Sequence, residues 1–249
     1  MNTLYDSLLA ALGLMAALDP QLASIALRSL AVSGLACLLA CAIGLPLGAW
    51  LAVLRFPGRG ALLAGLNTLL ALPSVVVGLL VYLLLSRSGP LGFLGWLFSF
   101  QAMVLAQTVL VLPVVVALTR QVIEQADRSH GEQLTSMGAG PRWRAAILLW
   151  DERHALVTLV IAAFGRAISE VGAVMVVGGN IEGFTRVMTT AIALETSKGD
   201  LPLALALGLV LLLLVLLLNA GLGLLVRWRA RRDGRAVAPG PLWIQAGPG

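Results

Sequence analysis

The apolar positions along this chain do not alternate with polar ones as they would in a soluble fold. Long, predominantly apolar runs occupy about residues 30–54, 61–85, 99–119, 155–178 and 201–226, and from Leu209 to Leu218 every residue is apolar. About 20 apolar residues in helical form cross the hydrocarbon layer of a bilayer. In lipid every backbone N–H and C=O must be satisfied inside the structure, which only helices and closed barrels achieve. Barrel strands would alternate apolar and polar residues. The pattern therefore predicts an all-α, polytopic transmembrane helix bundle of about five spans. The earlier run from Leu8 to Leu18 has only eleven residues. It predicts a surface helix within residues 1–23, lying on the membrane or against the bundle.

Three spans carry residues that disturb helices. Gly44, Pro46 and Gly48 cluster in the first, Leu72-Pro73-Ser74 interrupts the second, and Pro113 lies in the third. Such breaks are tolerated where neighbouring helices or cavity water satisfy the freed backbone. Each reads either as a kink for close packing or, with the others, as part of a bundle that encloses a path.

Composition agrees with a membrane setting. The chain is 59% hydrophobic and 12% charged, against roughly 25% charged in soluble domains. Its net charge of +5 is distributed as a topology signal. Arg55 and Arg59, then Arg120, Arg128, Arg142, Arg144 and Arg153, then Arg227, Arg229, Arg231, Arg232 and Arg235 fall on one side of a five-span topology. The positive-inside rule makes that side the cytoplasm, with the N-terminus outside and the C-terminus inside. No basic run is interleaved with aromatics, so nucleic acid is not an expected partner. Residues 227–249 read as a cytoplasmic basic tail at the anionic inner leaflet, disordered in its Pro- and Gly-rich part.

Several chemistries are excluded. Cys37 and Cys41 share one helix face but have no further ligand residues nearby, so they read as small packing residues. His130 and His154 stand outside any H-E-x-x-H arrangement. No phosphate-cradling G-x-x-x-x-G-K-[ST] loop occurs. The chain is thus expected to hold no cofactor and to be no enzyme, and any uphill transport needs an energy source on a partner.

Polar residues within the spans narrow the reading. Arg166 and Glu170 lie one turn apart, and a lone charge at that depth costs about 2.5–3.5 kcal/mol or more. They form either a self-neutralising structural pair or part of a cytoplasmic-side gate that exchanges partners between states. Gln101 and Gln107 are suited to hydrogen bonds between helices.

The longest polar connection, residues 121–153, links the third and fourth spans. Glu132 to Met137 has the composition of a short helix, stopped by Gly138, Gly140 and Pro141, and an amphipathic piece follows through Trp143, Ile147 and Leu148. Here Glu132-Gln133-Leu134, three residues, and Gly138 resemble the E-A-A-x-x-x-G signature of ABC importer permeases. Gln133 and Leu134 replace the two alanines, and Leu148-Leu149-Trp150-Asp151 stands where the family often has I-x-L-P. Downstream, Phe164-Gly165-Arg166-Ala167-Ile168-Ser169-Glu170-Val171-Gly172-Ala173 resembles the F-x-R-A-x-x-E-x-G-A stretch of molybdate, tungstate and sulfate permeases. Gly179-Asn180-Ile181-Glu182-Gly183-Phe184-Thr185-Arg186 resembles their G-N-I-x-G-x-T-R segment. Residues 187–200 look closest to the tungstate branch. The likeness extends over about residues 24–226.

The resemblance implies a permease subunit in a bacterial or archaeal cytoplasmic membrane, importing an oxyanion, tungstate first and molybdate or sulfate as alternatives. It implies a second copy of the chain, a cytoplasmic ABC ATPase dimer docked at Glu132, Gln133, Leu134, Met137, Gly138 and Ala139, and an extracytoplasmic binding protein. A dianion that must pass without being retained suits hydroxyl and amide donors, for which Ser74, Asn180, Thr185, Thr189 and Thr190 are candidates; each is equally suited to packing or capping. An ion-coupled secondary transporter is the other class, but the two halves of the chain show no convincing internal repeat.

Overall fold

A computed structural model describes residues 20–232 and the isolated helical positions 9, 12 and 13. The predicted surface helix falls almost wholly outside the described residues, as does the tail beyond Arg232. The chain is all-α, as expected. Its elements are α1 (Pro20–Val53), α2 (Arg59–Leu70), α3 (Ser74–Leu85), a 3-10 turn (Gly92–Leu94), α4 (Phe100–Ser136), α5 (Pro141–Asp151), α6 (Arg153–Ile168), α7 (Gly172–Gly178), α8 (Met188–Lys198) and α9 (Leu201–Arg232).

Among the described residues, three helices are long and apolar enough to cross a membrane: α1, α4 and the part of α9 from Leu201 to Gly221. Two bent pairs bring the number to five if each pair is one span. The α2–α3 pair turns by 100° and the α6–α7 pair by 56°. The expected second and fourth spans are these bent pairs. Pro73, extended at φ −61° and ψ 132°, makes the first bend because its ring disfavours helical geometry in the residue before it.

The other suspected breaks are absent. α1 runs unbroken through Gly44, Pro46 and Gly48, and begins at Pro20, ten residues before the expected start of the span. α4 runs unbroken through Pro113. The two glycines act in packing. A Cβ on Gly44 would meet Val115 Cγ1 at 2.8 Å, and one on Gly48 would meet the Val116 carbonyl oxygen at 2.7 Å. Small residues at i and i+4 thus let the α1 and α4 backbones approach closely, the device that replaces hydrophobic burial between helices in lipid.

The expected short helix at 132–137 is also corrected. These residues are the last turns of α4, which continues for 37 residues to Ser136. Nothing after Pro113 interrupts it, and Glu124 forms ion pairs with Arg120 at i−4 and Arg128 at i+4 along its polar part, spacings that support a solvated helix. Gly138 ends it. At φ +83° it donates its N–H to the Thr135 carbonyl, and Ala139 donates to Leu134. This is a Schellman ending, which favours glycine at the left-handed position.

Apolar clusters join the elements in layers. One packs α3, α4 and α7 around Val77, Val81, Met103 and Val174. A second joins the start of α1 to α8 and α9 through Ile25, Met188 and Leu207. A third, around Val115, Leu156 and Ala163, binds α6 to α1 and α4. A fourth, around Ala52, Ile123 and Leu148, holds α5 against α1 and α4.

Candidate functional site

The two bends meet. Where α3 begins and α6 gives way to α7, a cavity of about 350 Å³ is lined by Ser74, Arg166, Ser169, Glu170, Val171 and Gly172. Glycines make the approach possible. A Cβ on Gly172 would lie 2.7 Å from Val75 Cγ2 and 2.8 Å from Ser74 Oγ, and one on Gly78 would lie 2.7 Å from Ala173 Cα.

Arg166 and Glu170 both line this cavity, but no ion pair joins them among the described residues. Glu170 turns instead to the next helix. Its Oε1 accepts from the N–H groups of Gly172 at 2.9 Å and Ala173 at 3.3 Å. The carboxylate caps α7, whose first N–H groups have no partner inside their own helix. Arg166 is exposed and is the one cation lining the cavity. It lies 13 residues past Arg153 on α6, a rise of about 20 Å, inside a bent helix pair apolar enough to be one span. An unpaired arginine at that depth must face water or a partner.

A polar seam backs the cavity. Ser29, Ser33, Gln107, Glu170 and Thr189 surround a narrow cleft. The bend between α6 and α7 frees carbonyls, and two side chains from other elements take them up. Gln107 Nε2 donates to the Ala167 oxygen at 2.9 Å, and Thr189 Oγ1 to the Glu170 oxygen at 2.8 Å. Gln107 thereby makes the expected bond between helices. Gln101 is exposed.

The remaining path candidates serve the connection between α7 and α8. Asn180, in left-handed backbone at φ 51°, donates to the Thr190 carbonyl at 3.2 Å. Thr185 Oγ1 accepts from Ile181 N at 2.9 Å and donates to the Gly178 carbonyl. Thr190 Oγ1 accepts from Val187 N at 3.2 Å, capping α8. None of these three lines the cavity, whereas Ser74 does.

The same connection is held by a charge network that sequence reading missed. Arg28 donates to the Gly183 and Arg186 carbonyls at 2.9 and 3.1 Å. The Arg186 and Glu195 side chains, only 8% and 6% exposed, approach to 3.8 Å, and Lys198 reaches Glu195 at 3.0 Å. Glu195 and Lys198 stand at i and i+3 on one helix, but Arg186 lies nine positions before Glu195 and Arg28 on α1, and no local spacing announced those contacts.

At the far end of α4 and along one side of α5, large apolar side chains are exposed. Met137 is 75% exposed, Trp143 74% and Trp150 73%. Glu132, Gln133 and Gly138 are exposed beside them, and Leu134 and Ala139 are half-buried. Exposed apolar groups concentrated in one place mark interaction surfaces.

Comparison with known proteins places this architecture. The profile of the family described as binding-protein-dependent transport system inner membrane component matches residues 44–232. The chain is 40% identical over 204 residues to the tungstate uptake system permease protein TupB of Peptoclostridium acidaminophilum, covering 82% of this chain and 90% of that one. It is 42% identical over 185 residues to a probable anion ABC transporter permease protein of Haloferax volcanii, covering 72% and 80%. It is 36% identical over 190 residues to the molybdenum transport system permease protein ModB of Escherichia coli K12, covering 70% and 79%.

Proposed function

Because the chain belongs to the family of binding-protein-dependent transport system inner membrane components, we propose that it is the permease subunit of an ABC importer that carries an oxyanion, tungstate foremost, into the cytoplasm. Two copies enclose the path. A binding protein delivers the anion from outside, and a separate ATPase dimer hydrolyses ATP; this chain hydrolyses nothing. The N-terminus lies outside and the C-terminus inside.

The observation that carries this reading is the exposed apolar pair Met137 and Trp143 at the turn where α4, long and apolar enough to start in the membrane, ends beside Glu132 and Gly138, with Trp150 exposed further along α5. The ATPase docks on Glu132, Gln133, Leu134, Met137, Gly138 and Ala139. Closure of the ATPase dimer pushes this tip and tilts the spans between inward- and outward-facing forms. The cavity at Ser74, Arg166 and Glu170 is the constriction. Arg166 faces the path and meets the anion or the second copy there, while Glu170 keeps the bend between α6 and α7. Thr189 supports that bend, and Asn180, Thr185 and Thr190 shape the outer connection.

The test is reconstitution in liposomes with the ATPase subunit and the binding protein. ATP-dependent uptake should be competed by tungstate more strongly than by molybdate or sulfate. Uptake that survives ATP depletion but collapses with the ion gradient would mark a secondary transporter. A lack of competition by tungstate would transfer the assignment to another oxyanion. Glu132→Arg and Gly138→Pro should abolish co-purification of the ATPase.

A further inference from the structure

Resting on the permease reading above, we infer that Arg144 is the positioning residue that ties α5, with its exposed tryptophans, to α4, which carries the docking segment, and to the end of α1, so that a stroke at this tip moves all three together. Arg144 lies on α5, in the third residue after Pro141, and its guanidinium is spent in three directions. Nε stands 2.8 Å from Asp127 Oδ1 and Nη2 3.4 Å from Asp127 Oδ2. Nη1 donates to Thr135 Oγ1 at 2.9 Å. Nη2 also reaches the Val53 carbonyl at 3.4 Å.

These partners belong to different elements. Asp127 and Thr135 are two helical turns apart on α4, and Val53 is the last residue of α1, whose terminal carbonyls have no acceptor role left inside the helix. A cation at that end also meets the negative pole of the helix dipole. The Arg144 and Asp127 side chains are 20% and 19% exposed, so the contact is only partly screened by water. Gly131 gives the carboxylate its room, since a Cβ there would lie 2.8 Å from Asp127 Oδ1. Beneath the charges, Ala145 and Leu148 of α5 pack on Ala49, Ala52 and Val53 of α1 and on Ile123 and Ala126 of α4.

The geometry makes a bracket. α1 and α4 are locked to each other by the close approach at Gly44 and Gly48 and so move as one stem. α5 carries two of the exposed tryptophans. A push on α5 reaches that stem through an apolar contact, which can slide, and through Arg144, whose ion pair with Asp127 and bonds to Thr135 and the Val53 carbonyl resist sliding. Loss of these bonds should leave docking intact and waste the stroke. Arg144 lies outside the Glu132–Ala139 docking segment and touches neither the anion nor ATP.

The experiment compares Arg144→Gln, Arg144→Lys and Thr135→Val in the full complex, reconstituted with ATPase and binding protein. Three quantities are read: ATPase co-purified, ATP hydrolysed, and anion imported per ATP. Arg144→Gln should keep the ATPase bound and hydrolysing while anion per ATP falls roughly tenfold, the size expected when a charge-assisted bond worth more than about 1.4 kcal/mol is lost. Arg144→Lys should recover part of the ratio, and Thr135→Val, which removes one neutral arm, should lower it by a smaller factor. An unchanged ratio in Arg144→Gln overturns the inference. So does a fall in import that merely tracks lost ATPase. Should Arg144→Gln fail to assemble, an undiminished ratio in Thr135→Val overturns it as well. If the wild-type chain binds no ATPase, the permease reading itself fails, a result separable from all of these.

Discussion

Gly78 of α3 lies backbone to backbone against Ala173 of α7: a Cβ at position 78 would meet Ala173 Cα at 2.7 Å. The close contact joins the two bent segments next to the cavity that Ser74 and Gly172 line. Because the clashing atom is backbone, no side-chain rotation relieves it. Gly78→Ala should cost about 1–3 kcal/mol, the usual effect of overpacking, and reduce uptake by altering the constriction. The thermal midpoint of the purified protein and uptake in liposomes check both parts.

Gln107 supplies the bond that the α6–α7 bend takes from Ala167. Gln107→Leu keeps the volume and removes one of the bonds to that carbonyl, which still accepts from Glu170 N at 3.2 Å. A loss of about 0.5–1.5 kcal/mol is expected, the net worth of one intramolecular hydrogen bond. Denaturation in detergent should show it, and the reverse outcome, a gain in stability, would mean that water reaches the bend.

Arg166 is the exposed cation of the cavity. If it faces the path, Arg166→Gln should lower uptake by at least roughly tenfold, the loss of one charge-assisted contact in a low-dielectric site. ATPase co-purification should be unaffected. Uptake at wild-type level would remove Arg166 from the path.

Gly138 occupies left-handed backbone at φ +83°, with open space where a Cβ would stand. Gly138→Ala therefore meets strain without a clash, about 1–2 kcal/mol. The expected outcome is a weakened ATPase association, read by titrating the ATPase onto the reconstituted permease, together with a thermal midpoint of the isolated chain lowered by about 2–4 °C per kcal/mol of strain.

Glu195 pairs with buried Arg186. Glu195→Ala should destabilise by about 1–3 kcal/mol, because Arg186 loses its buried partner and keeps only the 70% exposed Glu182, 3.6 Å away. Lys198→Ala, which removes the half-exposed partner, should cost no more than about 1 kcal/mol. Equal effects of the two would show that the pair is wetter than its burial implies.

Much of the fold was legible in the residues. Runs such as Leu209–Leu218 require lipid, and lipid requires helices, so the all-α bundle follows from composition and period alone. Pro73 announced a real bend because the residue before a proline avoids helical backbone. Pro46 and Pro113 carried the same local signal, yet their helices continue. The difference lies in the neighbours, since α1 and α4 pack along most of their lengths and α2 has no buried residue to hold it in line.

The site divides in the same way. The sequence by itself determined that charges and hydroxyls stand at bilayer depth, that a polar segment ends in a glycine, and which family's motifs they match. Only the tertiary structure decided their partners. Glu170 prefers the free N–H groups of α7 to Arg166 four residues away, because a helix end offers two fixed donors where the arginine offers a mobile one. Arg144 and Asp127 meet across 17 positions because the chain reverses at Gly138. Spacing reports what a helix places together within a turn or two, and contacts made by the packing of distant segments leave no period to read.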